Sequence, residues 1–230
     1  MFGYGLDPYI ILVIPAFLFS LYAQFKVKST FNKYRRIGNT RGLTGADIAR
    51  SLLDRNGLYH VAVEPVRGEL TDHYDPRTKV VRLSETVYSS TSVAAIGVAA
   101  HETGHAIQHK LGYGPLALRS TLVPAAGIGS SIGPTLAVVG LVFGSDLMLY
   151  GGIILFTIAV AFYLVTLPVE FNASTRAIKS LETTGLLSIG EIGPARKVLN
   201  AAAMTYVASA AVAIASLLRL VLLANSRSRD

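Results

Sequence analysis

The chain contains no cysteine and no tryptophan, and it is poor in charged residues. The lack of cysteine excludes disulfide-stabilised scaffolds, iron–sulfur clusters, thiol nucleophiles and zinc sites built from thiolates. Any metal site must therefore use histidine and carboxylate side chains. Asp, Glu, Lys and Arg make up 15% of the 230 residues, against about 25% in an average soluble domain. Apolar residues reach 51%, which excludes intrinsic disorder as the main state.

The apolar residues are gathered into four long segments without a charged side chain: residues 8–25, 120–145, 147–169 and 198–218. A helix needs about 20 apolar residues to cross the hydrocarbon core of a bilayer, so each segment is predicted to be a transmembrane helix. The first segment is predicted to be a retained anchor, because it lacks the basic start and the small-residue cleavage site of a signal peptide. For the fourth segment, a buried helix of a soluble bundle is the alternative.

The turn Gly144-Ser145-Asp146 joins the second and third segments, which are predicted to form a hairpin. Lys and Arg residues concentrate in residues 26–41 and 176–197. The positive-inside rule places both stretches in the cytoplasm, and we expect a multi-pass protein of a bacterial inner (plasma) membrane with its active site facing the cytoplasm. With four spans, the C-terminal Arg227 and Arg229 would lie on the opposite side, in mild conflict with the rule.

These segments divide the chain into five predicted parts. They are an N-terminal membrane anchor (1–25), a cytoplasmic α+β part (26–116), a transmembrane hairpin (117–169), a cytoplasmic helix and loop (170–197) and a C-terminal membrane helix with its tail (198–230). The predicted fold class is a mainly α multi-pass membrane protein. About four transmembrane helices carry a small α+β cytoplasmic domain.

The polar part shows signals for both helices and strands. Thr44 is a candidate helix N-cap and Gly57 a candidate stop. Strands are predicted at residues 58–63, 71–74 and 80–83, and the last two are joined by the turn Asp75-Pro76-Arg77. Strand 80–83 is a candidate edge for pairing with an extended peptide. The final helix of this part is predicted over residues 93–110.

That final helix contains the motif His101-Glu102-Thr103-Gly104-His105. Residues four apart share one face of a helix and lie about 6 Å apart along its axis, so both imidazoles can bind one Zn²⁺. Glu102 projects to the side of His101 and is predicted to be the general base that deprotonates zinc-activated water. The preceding residues 93–100 are apolar or Gly, and polar groups in such a buried helix need partners.

Catalytic zinc sites use three protein ligands and one open position, so a third ligand is needed. His109 is excluded, because its Cα would lie about 12 Å from that of His101 along the helix. Glu170 ends the third apolar segment on the motif's side of the membrane, where a carboxylate is costly unless it is paired or metal-bound. We therefore assign Glu170 as the third ligand, with an ion pair to Arg176 as the alternative, and expect Glu182 and Glu191 to be solvated.

Residues 101–109 (HETGHAIQH), 72–100 and 167–177 (LPVEFNASTRA) resemble the YugP-type membrane zinc metallopeptidases. The resemblance runs from the first apolar segment to the fourth. It implies Zn²⁺ bound by His101, His105 and Glu170, Glu102 as general base, and peptide hydrolysis at the membrane surface. Residues 170–174 more distantly resemble the Glu-x-x-Ala-Asp region of HtpX-like and CAAX-prenyl proteases, in which an Asp supports a zinc-binding histidine at the position of Ser174.

Four further side chains are candidates for supporting roles. His73 or Tyr74 could donate a hydrogen bond to the oxyanion, although turn chemistry and a strand-edge position are the favoured explanation of where they lie. Arg176 could orient the ligand Glu170, stabilise the oxyanion, or extend to the membrane interface. Ser174 is the candidate partner of a zinc-binding histidine that the distant resemblance indicates.

The sequence therefore predicts a membrane zinc endopeptidase of the gluzincin type. The metzincin class is excluded, because Gln108 and Leu111 occupy the positions where that class has Gly and His. Expected partners are a peptide or protein substrate and the lipid bilayer, whereas membrane-protein partners and a homo-oligomer stay open. No nucleic-acid-binding motif is present. The alternative function is a non-enzymatic membrane scaffold or assembly factor with a vestigial or structural metal site.

Overall fold

The computed structural model describes residues 7–227, and four of its helical segments are long and apolar enough to cross a membrane. A short 3₁₀ segment, Pro8–Leu12, leads into helix α1 (Val13–Tyr34). The other three are α5 (Gly114–Phe143), α6 (Asp146–Thr184) and α7 (Ile189–Arg227). The mainly α, multi-pass fold class predicted from the four apolar segments is confirmed. The helices are longer than those segments, since α6 continues past residue 169 and α7 begins before residue 198.

Between α1 and α5 lie the smaller elements of the fold. They are the helices α2 (Gly45–Arg55), α3 (Glu85–Tyr88) and α4 (Val93–Lys110) and the strands β1 (Ala62–Val66), β2 (His73–Asp75) and β3 (Val80–Ser84). The chain forms two compact units. One comprises residues 1–24, 118–167 and 205–230, and the other comprises residues 25–117 and 168–204.

In the first unit, α5 packs closely on α6 at glycine residues. Gly129, Gly133 and Gly140 of α5 lie against the backbone of α6, where any Cβ atom would collide with it. Small residues allow this approach, which is a common way for membrane helices to associate. The predicted hairpin turn is present: Gly144 adopts a positive φ of 75° and the Ser145 N–H donates to the Gly140 carbonyl.

Ion pairs also lie within the same unit. Arg227 lies 3.4 Å from the Asp146 carboxylate and also donates to the Gly140 carbonyl, and Arg219 pairs with Asp7. Arg227, which conflicts with the positive-inside rule if the C-terminus is outside, therefore has an acidic partner at the hairpin tip.

In the second unit, the predicted helix after Thr44 is confirmed. The Thr44 hydroxyl accepts from the Asp47 N–H, and the Asp47 carboxylate accepts from the Thr44 N–H, so that the two residues form a capping box. Gly57 follows the helix with a φ of 65°, a conformation that glycine adopts without steric cost.

The three strands form one sheet in the order β1-β3-β2, in which β3 pairs parallel with β1 and antiparallel with β2. Two expectations are corrected. Residues 58–61 form a turn instead of the start of a strand, and the strand begins at Ala62. Strand β3, predicted to offer an edge, lies in the centre because β1 crosses over to pair with it, so β1 and β2 are the edges.

Helix α4 runs through the centre of this unit between two apolar clusters. Ala95, Ala99 and Ala106 on one side pack with residues of α2, β3 and α3, and Ile96 and Ala100 on the other side pack with residues of α6 and α7. The surrounding elements therefore cover α4 on both sides, which explains why its polar motif is buried.

Glu191 corrects another expectation, since it is buried instead of solvated. Its carboxylate accepts hydrogen bonds from the Ser188 N–H at 2.8 Å and from the Thr40 N–H at 2.6 Å. Glu191 thus caps the start of α7 and ties it to the loop before α2, whereas Glu182 is exposed and pairs with Arg196 at 2.7 Å.

Helix α4 approaches α6 most closely at Gly104, and this contact yields a prediction. A Cβ atom at Gly104 would lie 2.6 Å from the Ala173 carbonyl oxygen, whereas one at Gly97 would meet Ala195 at an ordinary 3.5 Å. We expect Gly104→Ala to destabilise the protein by about 1–3 kcal/mol through overpacking. Gly97→Ala, on the same helix, should be neutral or stabilise by up to about 1 kcal/mol through helix propensity. Unfolding of both variants in detergent measures the difference, and equal stabilities would contradict the packing described.

Candidate metal centre

Helix α4 presents the two histidines of the motif on one face. The helix starts at an N-cap, where the Ser92 hydroxyl accepts a hydrogen bond from the Ala95 N–H at 3.2 Å. Two turns of apolar residues follow and are buried. His101 and His105 then stand one turn apart, and their rings meet edge to face with centroids 4.8 Å apart.

Glu170 of α6 reaches the same point. Its Oε2 atom lies 3.2 Å from His101 Nε2 and 3.7 Å from His105 Nε2, and its side chain is only 2% exposed. One ligand atom from each of the three residues lies within 4.8 Å of those of the other two. Of Glu170, Glu182 and Glu191, the structure brings to the histidines Glu170, which the sequence favoured.

The donor atoms fit a zinc ion. Zinc bonds of about 2.0–2.1 Å at tetrahedral angles separate neighbouring ligand atoms by about 3.4 Å, close to the two distances that Glu170 makes. The other ring nitrogen of each histidine already has a partner: Ser174 Oγ lies 3.1 Å from His101 Nδ1, and Gln108 Oε1 lies 3.0 Å from His105 Nδ1. Both Nε2 atoms are thereby directed toward Glu170, as zinc ligands supported by outer hydrogen bonds usually are.

Glu102 is buried beside this cluster. Burial raises the pKa of its carboxyl group, the charges of the two imidazoles oppose that rise, and the Glu170 and Asp72 carboxylates add to it. A raised pKa makes a carboxylate a stronger proton acceptor, which suits a general base.

The secondary candidates fall into two groups. Ser174 contacts His101 directly, whereas Arg176 Nε donates to Asn172 Oδ1 at 2.7 Å and is separated from the cluster by Asn172 and Gln108. Within residues 7–227, the hydrogen bonds of His73 and Tyr74 are made to residues outside the cluster. His73 Nδ1 lies 2.8 Å from the Thr71 carbonyl, and the Tyr74 hydroxyl lies 2.8 Å from the Nδ1 atom of His109, in the last turn of α4.

Two residues at the site were not identified from the sequence. Gln108 is fully buried and bridges His105 to α6, where its Nε2 atom donates to the Val169 carbonyl at 2.8 Å and to Asn172 Oδ1 at 3.0 Å. The spacing of three residues between His105 and Gln108 is a usable signal, because such residues are neighbours on one helix face. The position of Asn172, by contrast, depends on how α6 packs against α4.

The chain is similar to known proteins along most of its length. Residues 9–225 match the model of a family described as "Putative neutral zinc metallopeptidase". The chain is 52% identical over 215 residues to the "Putative membrane protease YugP" of Bacillus subtilis (strain 168), an alignment that covers 94% of this chain and 96% of that protein. No solved structure matches the chain. Four helices within the described residues are candidate membrane spans, so the chain, like that relative, is a membrane protein.

The environment of Glu102 predicts a stability cost in the metal-free protein. A raised pKa means that the folded state binds the proton more tightly than the unfolded state, so the contribution of Glu102 to stability is lost as the pH rises through its folded pKa. We expect Glu102→Gln to raise the Tm of the chelator-treated protein at neutral pH and to flatten its fall between acidic and neutral pH. The matched change at the exposed Glu69 should leave the Tm unchanged. A lower Tm for Glu102→Gln would contradict the assigned cost.

Proposed function

The chain belongs to the family described as putative neutral zinc metallopeptidases, and on this premise we propose that it is a zinc-dependent endopeptidase that cleaves peptide bonds at the cytoplasmic surface of the plasma membrane. Its proposed metal ligands are His101, His105 and Glu170, and its proposed general base is Glu102.

One observation carries the proposal. Two imidazole nitrogens from α4 and one carboxylate oxygen from α6 converge within ligand–ligand distances that suit zinc. A set of three protein ligands leaves a fourth position for water or substrate, as in catalytic zinc sites. A purely structural site would be expected to close with a fourth protein ligand, and within residues 7–227 the cluster has three members.

The residues around the cluster account for the chemistry. Zinc bound there supplies Lewis acidity, which lowers the pKa of water and polarises a peptide carbonyl. A carboxylate oxygen of Glu102 accepts the proton of the attacking water and then passes it to the nitrogen of the leaving amine. Ser174 supports His101 through its Nδ1 atom. His73 and Tyr74 stay predictions as oxyanion donors.

The sheet suggests how a substrate is held. Strand β2 is an edge of the three-stranded sheet, and its Tyr74 contacts His109 on the helix that carries the motif. An extended peptide that adds to β2 through backbone hydrogen bonds would lie along this helix. We propose β2 in place of β3 as the strand that pairs with the substrate.

The distribution of positive charge supports the cytoplasmic placement. The chain has 21 Lys and Arg residues, and all but Arg119, Arg219, Arg227 and Arg229 fall in the segments of the second unit. That unit also holds the proposed metal ligands. By the positive-inside rule, such a unit stays on the cytoplasmic side.

Activity and metal binding should separate in variants of the site. Glu102→Gln is expected to lower peptide hydrolysis by at least about 100-fold, because it removes the proton acceptor, while zinc content per chain stays as in the wild type. Glu170→Ala should lose zinc and activity together. Zinc is measured by elemental analysis of the purified protein. Hydrolysis is measured by proteomics, which compares the proteins that accumulate in native membranes containing wild-type or Glu102→Gln protein.

The alternative function, a membrane scaffold, gives a different result in this experiment. A membrane scaffold with a structural metal would retain zinc in Glu102→Gln but would show no substrates that accumulate relative to the wild type. Wild-type activity in the Glu102→Gln variant would eliminate the proposed general base.

The lack of native cysteine allows a direct test of orientation. Tyr59→Cys places a thiol on an exposed position of the second unit, and Ser145→Cys places one at the hairpin tip. A membrane-impermeant maleimide added to intact cells is expected to label Ser145→Cys but not Tyr59→Cys, and both after lysis. The reverse pattern would place the proposed active site outside the cytoplasm.

A further inference from the structure

Gln108 is an amide with no exposure to solvent, placed one helical turn after His105. A buried amide has to satisfy both its N–H donors and its carbonyl acceptor. The Gln108 side chain does so through three contacts: Nε2 with the Val169 carbonyl and with Asn172 Oδ1, and Oε1 with His105 Nδ1.

The Val169 contact fixes which way the amide points. A backbone carbonyl can only accept a hydrogen bond, so the end of Gln108 that faces Val169 must be the NH₂ group. The end that faces His105 is then the oxygen, which can only accept. His105 Nδ1 must therefore carry the proton in the neutral ring, and its Nε2 atom keeps the lone pair that a metal requires.

Arg176 fixes the next amide in the chain of contacts. A guanidinium group can only donate, so the Asn172 atom that lies 2.7 Å from Arg176 Nε is the oxygen. The same oxygen accepts from Gln108 Nε2 at 3.0 Å. Rotating the Asn172 amide would place its NH₂ group against two donors, which is unfavourable.

We propose that Gln108, Asn172 and Arg176 are positioning residues that hold His105 in the Nδ1-protonated form with its Nε2 atom available to the metal. The inference rests on the proposed function for the identity of the metal ion. It assigns to Arg176 a role through Asn172 and Gln108.

The hydrogen-bond partner of His101 can be compared with that of His105. Ser174 Oγ lies 3.1 Å from His101 Nδ1, and a hydroxyl group can donate or accept there. Ser174 therefore leaves the tautomer of His101 undetermined, whereas Gln108 determines that of His105. Ser174→Ala is accordingly expected to weaken zinc binding less than a change at Gln108.

The test measures zinc affinity of the full-length protein in detergent by competition with a chelator, which needs no substrate. Gln108→Met keeps the size of the side chain but removes both ends of the amide, and it is expected to weaken zinc binding about 10- to 100-fold. The visible spectrum of the cobalt-substituted variant should also differ from that of the wild type. Thr103→Val is the matched control, because Thr103 is equally buried on the same helix and its hydroxyl donates to the Ala99 carbonyl of that helix at 2.9 Å.

Asn172 provides a second and more conservative test with a pair of variants, since its side chain is only partly buried. The network uses Oδ1 of Asn172 as an acceptor for two donors, so Asn172→Asp should keep near-wild-type zinc affinity and the wild-type cobalt spectrum. Asn172→Leu should lose affinity about 10-fold or more.

Equal zinc affinities of Asn172→Asp and Asn172→Leu, or wild-type affinity in a folded Gln108→Met variant, would overturn the proposal. If Gln108→Met fails to fold, the Asn172 pair decides alone. These outcomes are separate from the proposed function, since loss of hydrolysis in Glu102→Gln does not depend on zinc affinity.

Discussion

The backbone contact between α4 and α6 at Gly104 and Ala173 is the constraint on which the site depends. A carboxylate side chain reaches only a few ångströms from its helix, so Glu170 can meet His101 and His105 only if the two helices nearly touch. Gly104 lies between the two histidines in the motif, and the absence of its Cβ permits this approach. The metal site therefore requires glycine at position 104 as well as its three ligands.

The same contact explains how a helix can bury so much polarity. His105, Thr103 and Gln108 are buried in a helix whose preceding turns are apolar, and buried polar groups are costly unless they are hydrogen-bonded. Thr103 bonds within its own helix, whereas His105 and Gln108 contact each other and also residues of α6. Within residues 7–227, no fully buried side-chain nitrogen or oxygen lacks a partner. The cost that remains is the charge of Glu102, a cost that a bound cation would offset.

Local geometry explains what the sequence could predict. The four apolar segments, the helix around the motif and its Thr44-capped neighbour depend on periodicity and capping along one stretch of chain. Glu170 can be predicted as a ligand from the sequence, because a carboxylate at that membrane depth needs a specific partner. The pairing of β1 with β3, the burial of Glu191 and the Gln108–Asn172 contact depend instead on which distant segments meet and in which register. A single sequence holds no direct signal for such a register.

The charge balance of the site gives a reason for the neutral residue at position 174. Glu102 and Glu170 already place two carboxylates in one buried cluster, and each raises the cost of ionising the other. An Asp at position 174, as in the more distant proteases that the sequence resembles, would add a third carboxylate near His101. Ser174 avoids that repulsion but cannot impose a tautomer on its histidine. The neutral amides of Gln108 and Asn172, anchored by the positive charge of Arg176, supply that orientation at His105 without adding a negative charge beside the ligands.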